Sequence, residues 1–159
     1  MSAARHRFRR AGDIEVLGWP GLDPLAALVT TRSGGVSTGP YESLNLGLHV
    51  GDDPDAVIEN RVRASAAIGL ALDDLVFCNQ AHGRVIATVT DEDRGRGARS
   101  LDTAIAGVDA LVTTEPGLGL VVMVADCVPL ILHDPTAGVL ACVHAGWRGT
   151  VARVSGAAV

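Results

Sequence analysis

Apolar residues along this chain come in short runs closed by Gly, Pro and Asp, the pattern of strands and tight turns rather than long helices. Residues 26–31 read as a strand, followed by a Gly/Ser/Pro-rich loop over 32–41. Runs at 75–77, 107–113, 118–124, 130–133 and 139–143 read the same way, and 84–89 alternates well enough to join them. Glu115-Pro116-Gly117 is a turn, and 134–138 is a hairpin loop. One helix is well marked: Asp53 is its N-cap, Pro54 opens it and Gly69 closes it. Inside it Ile58, Val62 and Ala66 recur every four residues and predict the buried stripe, with Glu59 and Arg63 on the polar face. Residues 91–99 form a charged, Gly-containing loop, expected to be solvated, and a second helix can start near Thr150. No repeat or linker interrupts the chain. The class predicted is mixed α/β (α+β).

Reactive side chains stand where these runs end. Cys127 follows the run 120–124, His144 follows 139–143, and His82 follows 75–77 within Asn79-Gln80-Ala81-His82-Gly83. Polar groups at strand ends beside glycines are how α/β proteins build sites. Three such donors make a candidate His/Cys/His metal site, and zinc on three protein ligands keeps a position open for chemistry. The spacings match no zinc-finger or His-x-x-x-His signature, so only the fold can unite them. On spacing alone the plainer reading is that Cys127 is a small buried hydrophobe and the histidines are hydrogen-bonded turn residues. Asp126 is a candidate partner for an imidazole N–H, or else a turn cap. Cys127 with His144 also suits a metal-free thiol hydrolase. Arg32 and Arg148 lie beside glycines, where guanidinium and backbone N–H can converge on an anion; surface pairing is the plainer alternative. Cys78 and Cys142 read as core, His49 and His133 as surface, and Ser33-Gly34-Gly35 lacks the Lys of a P-loop.

Several blocks in order carry a resemblance. They are Thr30-Thr31-Arg32-Ser33-Gly34-Gly35-Val36-Ser37, Tyr41-Glu42-Ser43-Leu44-Asn45-Leu46-Gly47, Gly51-Asp52-Asp53-Pro54 and Glu59-Asn60-Arg61. Gln80-Ala81-His82-Gly83, Val108-Asp109-Ala110-Leu111-Val112-Thr113, Ala125-Asp126-Cys127 and His144-Ala145-Gly146-Trp147-Arg148-Gly149 follow. Together they resemble the YfiH-type laccase-domain family, also called polyphenol oxidase, peptidoglycan editing factor or purine nucleoside phosphorylase. The resemblance implies a mixed β-sandwich flanked by helices, with zinc on His82, Cys127 and His144. It implies phosphorolysis of adenosine, inosine and methylthioadenosine-type nucleosides and deamination of adenosine. Asn45 and Arg61 enter as ribose or phosphate contacts through the resemblance alone, and Arg148 joins them as a substrate-binding candidate. A copper laccase is disfavoured, since one Cys and two His fall short of the ligands several coppers need. The family's domain is longer than this chain. Residues 1–24 are therefore expected to be an arm and lead-in, and 25–159 a partial domain incomplete at its C-terminus, with an inactive truncated member as the non-catalytic alternative.

Composition narrows the rest. At 159 residues and 48% hydrophobic the chain can build a packed core, and with 3% aromatics that core is aliphatic. The net charge is −5 although Arg5, Arg7, Arg9 and Arg10 crowd the start, so the remainder is more acidic still. Such a body gives nucleic acid no electrostatic footing; small-molecule substrates fit it better, and the basic start is expected to be a mobile arm. No apolar stretch suits a signal peptide or a membrane span. Three cysteines give no disulfide framework and point to a reducing cytoplasm.

Overall fold

The computed structural model describes residues 6–19, 22 and 24–159. The protein is mixed α/β, with three sheets and few helices among the described residues, and it divides into two compact units, Met1–Leu72 and Asp73–Val159.

In the first unit, β1 (Arg7–Ala11), β2 (Ile14–Gly18) and β3 (Leu28–Thr30) form an antiparallel sheet in that order. Arg7, Arg9 and Arg10 thus lie on a strand, not on the mobile arm expected; Arg5 falls outside the described residues. Gly12, at φ 61°, turns β1 into β2. Ile14 and Val16 alternate inward and pack with Leu44, Ala64 and Ala67.

Helix α1 (Pro54–Ala66) starts as expected, with the Asp53 carboxylate accepting from the Asp55 N–H at 3.1 Å. Its buried face differs from the expected stripe. Val57, Asn60, Arg61 and Ser65 are buried, while Val62 is 40% exposed. Hydrogen bonding explains the exchange. Asn60 accepts from Val36 N–H at 2.8 Å and donates to Ser37 Oγ (2.9 Å), Ser43 O (3.2 Å) and Asn45 O (2.9 Å). A buried polar group so satisfied costs little, and it ties the preceding loop to the helix.

In the second unit, β4 (Leu75–Asn79) lies between β6 (Ile105–Ala106) and β8 (Gly119–Val121), parallel to both. A four-stranded sheet runs β5 (Ile86–Thr88), β7 (Ala110–Thr113), β10 (Val139–Ala145) and β9 (Val128–Asp134). Val76, Cys78, Leu111 and Leu118 join an aliphatic core between the two sheets. On the other face of the four-stranded sheet, Ala110 and Val143 pack with Val154 of the short helix α3 (Val154–Ala157), which follows α2 (Trp147–Val151).

Two expectations fail here for identifiable reasons. Strand β8 stops at Val121, short of Val124, because the Gln80 side chain takes over the pairing: it donates to Met123 O at 2.8 Å and accepts from Met123 N–H at 2.7 Å. Residues 91–99 are not a freely solvated loop. Gly97 and Ala98 are buried, Phe77 N–H donates to Arg96 O, and Gly95 N–H donates to Leu75 O. Arg94 pairs with Asp74 and Asp91, Arg96 with Asp93, and Arg99 with Asp73.

Candidate metal centre

The register of the four-stranded sheet assembles the site. Strands β9 and β10 pair antiparallel, with Val128 opposite Ala145, so Cys127 and Gly146 face each other one step past the last pair. Strands β10 and β7 pair with Val143 opposite Ala110, so His144 and Asp109 are likewise neighbours one step further on; His144 N–H donates to Asp109 O at 2.7 Å. Residues opposite each other in an antiparallel pair share a face and can touch. The Asp109 carboxylate meets His144 Nδ1 at 2.8 Å, and both side chains are buried.

His82 arrives from the end of β4. It sits at φ 57°, the left-handed region that few non-glycine residues occupy. The Asp109 carboxylate holds this turn too, accepting from His82 N–H (2.8 Å), Gly83 N–H (2.7 Å) and Ala81 N–H (3.3 Å). The His82 and His144 rings meet edge to face, centroids 4.7 Å apart at 89°.

As a result, one ligating atom each from His82, Cys127 and His144 lies within 4.8 Å of the others, a spacing at which a single metal ion can be held. His144 is buried, Cys127 half-buried and His82 exposed, so the cluster is open on one side. Gly146 lies among the donors. A Cβ there would stand 3.2 Å from Cys127 Sγ, 3.2 Å from His82 Cδ2 and 3.5 Å from His144 Cε1. The missing side chain leaves that space clear. Gly149 serves the same packing, for a Cβ there would come 2.8 Å from Gly83 O.

Electrostatics separates the acids and thiols. Burial would raise the Asp109 carboxyl, but the hydrogen bonds from His144, Gly83 and His82 outweigh it and hold it below the usual carboxylate value. Desolvation, and then the hydrogen bond and charge of Asp126, push the Cys127 thiol up; its Sγ donates to Asp126 Oδ1 at 3.6 Å. Asp126 therefore pairs with the thiol, and the carboxylate on the imidazole is Asp109 instead. Desolvation pushes the buried Cys78 thiol to about 12 and the half-buried Cys142 thiol to about 11, consistent with inert thiols.

The other predicted site residues are engaged elsewhere. Asn45 and Arg61 belong to the first unit. Asn45 donates to Asp52 at 2.9 Å and accepts from Gly47 N–H, while Arg61, buried in α1, donates to Leu46 O at 2.8 Å. Burial brings the Arg61 guanidinium down to about 10, still charged at neutral pH. Arg148 is exposed and stacks over Trp147, 5.2 Å from the ring centroid. Arg32 donates to the Glu42 carbonyl. His49 and His133 are exposed, as expected. Among the described residues, no helix is long and apolar enough to cross a membrane.

Comparison with known proteins adds the lineage. Residues 26–159 match the family model described as multi-copper polyphenol oxidoreductase laccase. A purine nucleoside phosphorylase, YlmD, of Geobacillus stearothermophilus is 46% identical over 147 residues, covering 89% of this chain and 54% of the relative. One from Corynebacterium glutamicum is 52% identical over 126 residues, covering 79% and 49%. The crystal structure of Geobacillus stearothermophilus YlmD matches with a TM-score of 0.89 at 42% identity, over 96% of this chain and 57% of that one. Bacillus licheniformis YfiH matches with a TM-score of 0.88 at 39% identity, over 93% and 55%. This chain thus spans about half the length of the curated relatives it matches. With the family model covering most of its length and close relatives of the same fold, the chain belongs to the YfiH-type laccase-domain family.

Proposed function

We propose that this chain carries the metal centre of a purine nucleoside phosphorylase, that the metal is zinc, and that His82, Cys127 and His144 hold it. The observation that carries the reading is the convergence of these three donors within 4.8 Å in a chain whose relatives are named purine nucleoside phosphorylases. The donor set fits the ion. Two imidazoles and a thiol suit borderline-soft zinc, and Gly146 puts no side chain among the three donors. A single Cys and two His remain too few for the several coppers of a laccase.

Bound zinc supplies Lewis-acid chemistry, which serves phosphate attack on a ribose carbon and equally water attack on a purine ring. The chain's own residues do the rest. Asp109 orients His144, Cys127 contributes a thiolate charge, and exposed His82 leaves one side of the centre open to a substrate. Arg148 is a proposed substrate contact at this centre, Asn45 and Arg61 are proposed substrate contacts of the first unit, and adenosine deamination is a second activity of the same centre. A reducing cytoplasm suits a site that depends on a free thiol; all three cysteines are unpaired in disulfides.

One observation favours a second reading. The His144 ring, held by Asp109 at 2.8 Å, has a ligating atom within 4.8 Å of Cys127 Sγ, an arrangement that also suits a thiol hydrolase. Against it, desolvation and then Asp126 raise the Cys127 thiol, the reverse of what a metal-free nucleophile needs, and His82 is left without a role.

Metal analysis and product analysis on one preparation test the proposal. Zinc near one equivalent is expected, with adenosine plus phosphate giving adenine and ribose 1-phosphate, and both lost on chelation. Inosine and ammonia as products would indicate the deaminase activity. Turnover that survives complete metal removal would overturn the proposal in favour of the thiol hydrolase.

A further inference from the structure

We infer that Asp109 is the positioning residue of this centre, a single buried carboxylate that places two of the three donors, His82 and His144, before any metal binds. The inference rests on the reading of His82, Cys127 and His144 as the donor set.

The argument starts from what a carboxylate can accept. Ionised, it has two oxygens and about four lone-pair positions. Four donors meet Asp109. Oδ1 accepts from His82 N–H and faces His144 Nδ1, both at 2.8 Å, and Oδ2 accepts from Gly83 N–H at 2.7 Å and Ala81 N–H at 3.3 Å. The residue is 0% exposed, so its capacity is filled by the protein alone. Each of these bonds has a consequence for a metal donor.

The first consequence is the tautomer of His144. An ionised carboxylate can only accept, so Nδ1 carries the proton, and a neutral ring then has its lone pair on Nε2. The second is the backbone of His82. Three successive N–H groups turned onto one anion need a curled main chain, and His82 takes up the left-handed conformation within that curl. That conformation is unfavourable for an L-residue, and without the anion three amide donors would lose the partner that holds it. Cys127 is placed separately, by the pairing of β9 with β10. Removing the carboxylate is therefore expected to release both histidines and spare the sulfur.

Asp109→Asn is the close-shaped test. The amide keeps one acceptor oxygen but turns an NH2 group onto two backbone N–H groups or onto the imidazole. The probe is cobalt(II), titrated into the whole chain in competition with a chromophoric chelator and followed through its visible spectrum. In parallel, long-range nitrogen–proton NMR of the metal-free protein reads which His144 nitrogen carries hydrogen. Wild-type protein is expected to show the Nδ1–H form. The variant is expected to bind cobalt about 10–100-fold more weakly, with altered d–d bands and a retained thiolate charge-transfer band. A folded variant with wild-type affinity and spectrum would overturn the inference. If the variant does not fold, the metal-free wild-type spectrum decides, because an Nε2–H tautomer overturns the inference by itself. Wild-type protein that shows the Nδ1–H form yet binds neither cobalt nor zinc supports the positioning role and refutes the metal reading instead.

Discussion

Gly146→Ala separates the metal centre from the fold that carries it. Gly146 has φ −71° and ψ 170°, a conformation open to any residue, so alanine brings no backbone strain. By restricting the unfolded chain, the substitution alone would stabilise the protein by about 0.4–1 kcal/mol. The new methyl, however, lands 3.2 Å from both Cys127 Sγ and His82 Cδ2. Ordinary contacts between such atoms lie at about 3.5–4.0 Å, so the two donors must give by a few tenths of an ångström. In the metal-free protein this is cheap, because the His82 ring is exposed and can move. A metal centre tolerates only about 0.2 Å in its ligand distances.

Metal-free stability is accordingly expected to stay within about 1 kcal/mol of wild type, while zinc affinity falls about 10–100-fold, or about 1.4–2.7 kcal/mol. At saturating metal that deficit reappears as lost ligand stabilisation, so the rise in Tm on adding zinc shrinks by about 3–10 °C. Paired melts with and without zinc, together with chelator competition, measure both quantities. Wild-type zinc affinity in the variant would refute the steric argument. A metal-free variant that unfolds outright would show that Gly146 serves packing rather than the donor cluster.

Three further outcomes follow from particular contacts. Cys127→Ser is expected to abolish stoichiometric zinc binding while Cys142→Ser retains it; a full equivalent of zinc in the first variant would remove Cys127 from the donor set. Asn60→Ala leaves the part-buried Val36 N–H and Asn45 C=O without their partner and is expected to cost about 1–3 kcal/mol, read as a lower urea midpoint with the m-value unchanged. Hydrogen bonds from Ser37 and Asn45 hold the Asp52 carboxyl below its ordinary value. The unfolded chain then binds more protons than the folded one just below pH 4, so this stabilisation is present above pH 4 and lost as the pH falls through the folded value. Asp52→Asn should flatten that part of the acid limb in a pH series of melts, and an unchanged limb would mean that Asp52 ionises alike in both states.

What the sequence made legible was local. Asp53, Pro54 and Gly69 marked α1 because caps and first-turn prolines act over a few residues. The β9–β10 hairpin was legible because its two apolar runs flank a short polar turn. By contrast β1 escaped notice, since Arg7, Phe8, Arg9 and Arg10 are all exposed and show no alternation; the sheet is set by β2 and its buried Ile14 and Val16. The apolar stripe rule points to the wrong buried face of α1 because it has no place for Asn60 and Arg61, whose burial depends on loop carbonyls outside the helix.

The same limit explains the partner of His144. Asp126 drew attention as the acid beside Cys127 in the chain, whereas the acid beside His144 in space is Asp109, 35 residues away. No propensity of either segment states that β7 pairs with β10 in the register that sets 109 against 144. A weaker signal was present: an aspartate at the mouth of the apolar run Ala110–Thr113 is a charge heading into a core. A buried carboxylate needs donors, and a neighbouring turn bearing a histidine at positive φ needs an acceptor. Each demand is unmet within its own segment, and together they are met once. Reading unmet polar demands across segments, rather than apolar period within them, would have paired Asp109 with the His82 turn and brought His144 along by register.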